Sequence, residues 1–214
     1  SATALAKSER EGAWREMARQ VAHEIKNPLT PMKLSIQYLQ KAINNNQPNV
    51  KELSGSVANT LVEQIDHLAK IAADFSQFAN IGNTHVELFD LHEVVGSLKE
   101  LFRADQQVNL IWYPVNDQVM VNADKTQMNR LFTNLLTNAV QACTDNDTCT
   151  IVIDEKREGD KIVISIKDNG EGIPIEMQDK IFVPNFTTKS SGTGLGLAMC
   201  KGIVEQAKGR IWFE

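Results

Sequence analysis

Apolar residues recur every three or four positions along the N-terminal part of the chain. The first such stripe consists of Trp14, Ala18, Val21, Ile25, Leu29, Met32, Ile36, Leu39 and Ile43. This spacing places the apolar side chains on one face of an α-helix, and it predicts a helix over residues 10–43. At ~1.5 Å per residue the helix would extend about 50 Å, too long to stand alone in a small globule.

A polar break at residues 44–49 ends the first stripe, and a second stripe follows it. The second stripe consists of Val57, Leu61, Ile65, Leu68, Ala72, Phe75 and Phe78. Two such helices predict an antiparallel hairpin. Because one hairpin cannot bury both stripes completely, we expect a homodimer in which two hairpins form a four-helix bundle.

The pattern changes at Ile81–Thr84, and the remaining segment alternates strand-like and helix-like runs. Strands are predicted at 108–113, 119–121, 150–154, 161–167 and from Gly209 onward, and an amphipathic helix at 125–143. The expected fold class is α+β, a helical hairpin over residues 1–82 followed by an α/β sandwich over residues 83–214. Because the last strand would stop without a closing element, the second domain looks truncated at its C-terminus.

Composition narrows the class of protein. The chain has 214 residues, 42% hydrophobic and 23% charged, with 22 basic and 27 acidic side chains and a net charge of -5. No basic block marks a nucleic-acid surface, and no apolar run reaches the roughly 18 residues that span a bilayer. We therefore expect a cytoplasmic fragment without nucleic-acid or direct membrane contact, compatible with a parent protein anchored in the inner membrane.

The cysteines point to the same compartment. Cys143, Cys149 and Cys200 are odd in number and form no C-x-x-C pair, so neither a disulfide framework nor a zinc site is indicated. A reducing cytosol fits best. We expect the cysteines and Trp212 to pack in the core.

His23 is a candidate nucleophile on the first helix. It lies between stripe residues and should be exposed, with Glu24 adjacent and Asn27 on the same face. An unperturbed imidazole has a pKa of ~6.5, so near neutral pH a histidine is largely uncharged and offers a ring nitrogen as nucleophile. A zinc protease needs H-E-x-x-H, which Asn27 and Pro28 exclude. A solvated surface histidine is the plain alternative.

A group of motifs in the second predicted domain indicates a nucleotide site. Asn134 and Asn138 are four positions apart on a predicted helix, so their carboxamide oxygens can help to hold the Mg²⁺ that accompanies phosphates. Asp168 ends an apolar strand, where its carboxylate can accept a hydrogen bond from the adenine amine. Gly170 and Gly172 let the backbone approach the base closely.

The glycine-rich run Gly192, Thr193, Gly194, Leu195 and Gly196 opens a further predicted helix. Its backbone amides and the positive helix end favour phosphates. The spacing matches neither the dinucleotide fingerprint nor the Walker A loop. Each motif alone is more often a cap, a turn or a loop, and their order and separation together favour a nucleotide site.

These segments resemble a known family. Residues 23–29 are similar to the H-box of bacterial sensor histidine kinases. Residues 134–139, 168–174 and 192–197 resemble the N, G1 and G2 boxes of the ATPase superfamily shared by histidine kinases, gyrase, Hsp90 and MutL, and residues 181–189 resemble the kinase F-box. The extension after the H-box is most similar to nitrogen-regulation-type sensor kinases.

The resemblance implies roles for the helical residues. His23 would be phosphorylated by ATP and would pass the phosphoryl group to the receiver domain of a response regulator. Glu24 would assist the transfer, and Asn27 would take part in removing phosphate from the regulator. Since histidine and nucleotide lie on different domains, we expect a hinge at Ile81–Thr84. The sequence leaves open whether a subunit labels its own histidine or its neighbour's.

For the second domain the resemblance implies that Asn138 holds Mg²⁺ with help from Asn134 and that Asp168 recognises adenine. Residues 175–194 would form a lid over ATP, from which Lys189 would reach the phosphates. Gln141 departs from the Lys, Arg or His that many family members have there, which puts that phosphate contact in doubt.

Two other classes of function compete. A gyrase- or Hsp90-like ATP hydrolase would place a glutamate at the position of Asn134 to activate water, and this chain has a carboxamide there. A non-catalytic dimerisation module would leave the whole nucleotide constellation without a use. Phosphoryl transfer to a positioned nucleophile is therefore the favoured hypothesis.

Overall fold

The computed structural model describes residues 2–79, 84–143, 148–184, 186–187 and 193–214, without the side chains of 2–17, 20, 78 and 79. It divides into two compact units. One comprises Ser1–Ala79 with Pro184–Leu195, and the other comprises Asn80–Val183 with Gly196–Glu214.

The first unit is built on two long helices, α1 (Ala2–Asn44) and α2 (Val50–Ala79), which pack against each other. The turn between them ends α1 with Asn46 at a φ of 50°. The Gln47 amide donates to the Ala42 carbonyl and the Asn46 amide to the Ile43 carbonyl, each at 3.0 Å. This pair of bonds satisfies carbonyls that a helix end leaves open, so the chain reverses sharply and the predicted hairpin is confirmed.

Burial within the hairpin is partial. Ala42, Val57 and Ile71 are buried. By contrast, the stripe residues Ile25, Leu29, Ile36, Ile43 and Ile65 are between 37% and 51% exposed. A single hairpin therefore leaves much of both apolar stripes in contact with water, as the sequence pattern predicts.

The second unit contains five strands and four helices among its described residues. In chain order they are β1 (Glu87–Asp90), α3 (Leu91–Phe102), β2 (Val108–Tyr113), β3 (Met120–Ala123), α4 (Lys125–Ala142), β4 (Cys149–Glu158), β5 (Lys161–Asp168), α5 (Ile175–Gln178) and α6 (Gly196–Gln206). The fold is α+β, as predicted.

The strands form two small sheets. β4 is central in the larger one, parallel to β2 and antiparallel to β5, whereas β1 pairs with β3 in an antiparallel ribbon. The β4–β5 hairpin turns at Gly159, whose φ of 64° suits glycine. α4 packs on β4 and β5, with α3 and α6 beside it. Its core face consists of Gln127, Met128, Leu131, Phe132, Leu136 and Ala139.

Three expectations are wrong in this unit. Residues 209–214, all of which the structure describes, form no strand, and Trp212 is 48% exposed, with Arg210 stacked over its ring. Cys149 and Cys200 are buried as expected, but Cys143 and Cys149 are joined by a disulfide. Composition alone did not indicate this bond, because the fold brings the end of α4 to the start of β4.

Within the described residues, none of the helices combines the length and the apolarity that crossing a bilayer requires.

Candidate phosphotransfer and nucleotide sites

His23 lies on the exposed surface of α1, as predicted. Glu24 beside it is half-buried, and Asn27, one turn further on, is exposed. Pro28 and Pro31 both lie inside α1, where each removes a backbone donor, and Pro28 itself is buried. The imidazole is therefore open to a reactant, with an acidic and an amide side chain on the same stretch of helix.

α4 carries the two asparagines of the predicted metal site. Asp124 caps the N-terminus of the helix, and its carboxylate accepts a hydrogen bond from the Gln127 amide at 2.9 Å. Asn134 Nδ2 donates to the Arg130 carbonyl at 3.0 Å, which fixes the carboxamide on its own helix. Asn134 and Asn138 are both half-buried, one helical turn apart, so their side chains share a face.

The turn after β5 is tightly built. Asp168 is half-buried at the end of the strand, and its Oδ1 accepts a hydrogen bond from the Gly170 amide at 2.9 Å. A Cβ on Gly170 would lie 2.5 Å from the Ala142 carbonyl oxygen, so only glycine fits. The Glu171 amide donates to that same oxygen at 3.1 Å. Gly172 follows with a φ of 74°.

Asn169 is a positioning residue that the sequence argument missed. Its Oδ1 accepts a hydrogen bond from the Thr150 amide at 2.9 Å, and its Nδ2 donates to the Thr148 carbonyl at 3.1 Å. The side chain thereby ties the turn after β5 to the beginning of β4. The signal was available, because asparagine in a D-N-G turn is a residue that commonly bonds backbone.

The end of the glycine-rich run is divided between the two units. Thr193 and Leu195 belong to the unit of the helical hairpin, and both are buried. The Thr193 hydroxyl donates to Asp74 Oδ2 on α2 at 2.8 Å. Gly194 has a φ of 65°. Gly196 begins α6 in the other unit, as predicted, and a Cβ there would lie 3.3 Å from Asn134 Oδ1.

Some predicted residues lie outside the described part of the chain. These are Lys189 and Gly192, together with residues 81–83 of the expected hinge. Of the expected lid, residues 175–184, 186–187 and 193–194 are described. Within it, Phe182 lies 6.4 Å from Phe213, measured between ring centroids.

Glu155 forms a polar cluster that the sequence argument also missed. Its side chain is fully buried and accepts hydrogen bonds from His92 Nε2 at 2.8 Å, Trp112 Nε1 at 2.9 Å and the Val115 amide at 3.2 Å. The alternation of β4 places Glu155 on the same buried side as Ile151 and Ile153. His92 thus donates a hydrogen bond to a buried carboxylate.

Two family models match most of the chain. Residues 13–84 match the His Kinase A (phospho-acceptor) domain, and residues 123–214 match the histidine kinase-, DNA gyrase B-, and HSP90-like ATPase. The chain belongs to the sensor histidine kinase family. The two matches fall on the hairpin that carries His23 and on the segment that carries Asn134, Asn138 and Asp168.

Curated relatives of this histidine kinase chain agree. The nitrogen regulation protein NtrY of Azorhizobium caulinodans is 31% identical over 98% of this chain and 28% of its own length. Sensor histidine kinase ZraS of Escherichia coli is 32% identical over 91% of this chain and 41% of its own length. The chain thus spans less than half the length of these relatives.

Solved structures of histidine kinases are similar to this chain. The catalytic domain of histidine kinase ThkA is 33% identical, with a TM-score of 0.55 over 61% of this chain and 89% of its own. ThkA in complex with response regulator protein TrrA gives a TM-score of 0.74 at 26% identity, over 97% of this chain and 59% of its own.

Proposed function

We propose that this chain is the catalytic core of a histidine kinase, which phosphorylates His23 with ATP and passes the phosphoryl group to an aspartate of a response regulator receiver domain. The exposed imidazole of His23, next to Glu24 and Asn27, carries the proposal. In the first step the lone pair of the unprotonated ring nitrogen bonds to the γ-phosphorus, the bond between that phosphorus and the bridging oxygen breaks, and ADP leaves with that oxygen. The proton on the other ring nitrogen passes to the Glu24 carboxylate or to water. Glu24 would orient the ring and favour that proton transfer.

The adenine base and the metal ion would be held by the second unit. We assign Asp168 to the adenine amine, with Gly170 and Gly172 lining the base, and Asn138 to Mg²⁺ with help from Asn134. The tight turn supports this assignment, because the packing of Gly170 against Ala142 fixes the backbone that directly follows Asp168. Bound Mg²⁺ would neutralise charge on the phosphates.

The glycine-rich run would complete the site by binding the phosphates. We assign Gly192, Thr193, Gly194, Leu195 and Gly196 to the phosphates, with Lys189 reaching them from the lid. The start of α6 at Gly196 supports the assignment, since a helix N-terminus presents backbone amides to an anion.

Asn134 favours transfer over hydrolysis. A carboxamide cannot serve as a general base toward water, and Nδ2 of this one already donates to the Arg130 carbonyl. The phosphoryl group therefore goes to a nucleophile supplied by the protein. Asn27 would take part in a phosphatase activity, by helping to remove phosphate from the regulator.

The proposed functional domains are residues 1–82 and residues 83–214. The first would dimerise and carry His23, and the second would bind ATP. We place both in the cytoplasm, where ATP is available, with the whole protein anchored in the inner membrane. Supporting the dimer, the apolar side chains of α1 and α2 that a single hairpin leaves exposed would be buried in a four-helix bundle.

Labelling with ATP carrying a radioactive γ-phosphate tests the proposal. The chain should acquire acid-labile, base-stable label with Mg²⁺, and His23→Gln should abolish it. His67→Gln, a matched change on α2, should leave it intact. Label that survives in His23→Gln would overturn the assignment of the acceptor.

A further inference from the structure

The disulfide between Cys143 and Cys149 lies where α4 ends and β4 begins. Cys143 is the C-terminal cap of the helix that carries Asn134 and Asn138, and Cys149 is the first residue of β4. The bond therefore fixes the end of the metal-site helix to the central strand of the larger sheet.

The same bond adjoins the turn assigned to adenine. The Cys143 sulfur lies 3.5 Å from Asn169 Oδ1. Asn169 in turn bonds both Thr148 and Thr150, the residues on either side of Cys149. A change at the disulfide thus reaches Asp168 and Gly170 through a single side chain.

Ala142 supplies a second connection. It precedes Cys143, and its carbonyl oxygen accepts the Glu171 amide and closely covers Gly170. Movement of the helix end would displace this oxygen and loosen the turn from its other side. Asn169 and Ala142 therefore clamp the adenine turn against the two ends of the disulfide.

The two sulfurs differ in access. Cys143 is half-buried, whereas Cys149 is 4% exposed. An external reactant would meet Cys143 first, and Cys149 lies in place to complete the exchange. Cys200 is fully buried elsewhere, against the Leu131 carbonyl, and burial raises the pKa of its thiol to about 12. Cys200 is therefore an inert comparison within the same domain.

We propose that Cys143 and Cys149 form a reversible thiol–disulfide site that sets the affinity of the neighbouring nucleotide site. Disulfides in reducing compartments are mostly transient and redox-sensing. The oxidised form holds the adenine turn in place, and the reduced form releases it. The inference rests on the proposed function, since it assigns ATP to that turn.

The reaction balances as two thiol–disulfide exchanges. The Cys143 thiolate attacks a low-molecular-weight disulfide such as oxidised glutathione, forming a mixed disulfide and releasing one thiol. The Cys149 thiolate then attacks the Cys143 sulfur, forming the protein disulfide and releasing the second thiol. Two protein thiols are oxidised and one small disulfide is reduced to two thiols.

Two readouts on the whole chain test the inference. Differential alkylation with mass spectrometry measures the bond after equilibration with glutathione of defined redox poise. Titration with ATP then measures Kd for the reduced and oxidised forms. We expect a Cys143–Cys149 bond in the oxidised sample and an ATP Kd at least fivefold lower than in the reduced sample. Cys143→Ser and Cys149→Ala should remove that difference, and Cys200→Ala should keep it.

Amide hydrogen exchange distinguishes a failure of the proposed nucleotide site from a failure of the proposed control by the disulfide. Protection of the Gly170 and Glu171 amides should rise on oxidation in the wild type and stay unchanged in Cys143→Ser. If neither form binds ATP, the proposed nucleotide site fails, while exchange still decides whether the disulfide controls the turn. Equal Kd values in both forms, or no bond under oxidising glutathione, would overturn the inference.

Discussion

Gly170 illustrates how one residue shapes the turn after β5, to which we assign adenine. It lies against the backbone of Ala142, and its amide closes the turn onto Asp168. Space for a methyl group is missing on that side, because the nearest atom belongs to the backbone of α4 and cannot rotate away.

We therefore expect Gly170→Ala to weaken ATP binding more than tenfold, measured by titration calorimetry, because the turn must move away from α4. Gly55→Ala is the matched control. A Cβ at Gly55 on α2 meets nothing within 4 Å, and alanine there should raise stability by up to about 1 kcal/mol. Equal ATP affinity in Gly170→Ala and the wild type would refute the assignment of adenine to this turn.

Glu155 is a buried residue whose carboxylate holds several segments together. It accepts hydrogen bonds from three donors, which lie on α3, on β2 and on the segment after β2. Removal would leave those donors without an acceptor, and hydrogen bonds to charged groups are each worth about 1.5–3 kcal/mol.

Glu155→Ala should accordingly lower the free energy of unfolding by roughly 3 kcal/mol in urea denaturation, a conservative sum for a partly relaxing site. Asp154→Ala, at the exposed neighbouring position of β4, should change it by less than about 0.5 kcal/mol. Similar losses in the two variants would contradict the cluster's structural role.

At the scale of elements, local pattern predicted most of the architecture. The hairpin helices, β2, α4 and the β4–β5 hairpin all lie where periodicity placed them, because each buries one face locally. Pattern gave no strand order: the parallel pairing of β2 with β4 depends on partners far apart in sequence. The pattern also predicted a strand from Gly209 onward, but residues 209–214 form no strand and pair with none of the described strands.

The candidate site was likewise predictable only where it depends on local sequence. The motifs placed Asp168 at a strand end and Gly196 at a helix start, because those positions follow from local residue preferences. By contrast, the Asp74–Thr193 hydrogen bond and the Cys143–Cys149 disulfide join elements whose approach depends on the three-dimensional fold.

The N-terminus of α4 provides a pH-dependent test. Burial raises the pKa of Asp124, but hydrogen bonds from the Gln127, His85 and Thr126 amides lower it more, so it lies below the ordinary 3.8. Since the folded state holds this carboxylate ionised, its contribution is complete above the unfolded pKa and disappears as pH falls through the folded value.

Asp124→Ala should therefore cost about 1 kcal/mol of unfolding free energy at pH 7, the typical value of an N-cap, and the difference from wild type should shrink below about pH 4. Urea denaturation at a series of pH values measures both quantities. A difference that grows on acidification would contradict the depressed pKa.

At the scale of the whole molecule, the exposed stripe of the hairpin predicts self-association. Ile65 on α2 is 51% exposed and belongs to that stripe. Ile65→Glu should convert a dimer into a monomer at micromolar concentration in analytical ultracentrifugation, because burying an unpaired charge opposes association. Asn59→Glu, at an exposed polar position of α2, should remain dimeric. A monomeric wild type would exclude the four-helix bundle.

The fate of the γ-phosphate distinguishes phosphoryl transfer to His23 from hydrolysis of ATP. A time course with labelled ATP and Mg²⁺ separates label retained on the protein from inorganic phosphate released into solution. Phosphoryl transfer predicts that retained label accumulates on the peptide containing His23 ahead of any release. Steady release of phosphate with no label on that peptide would contradict it and indicate an ATP hydrolase.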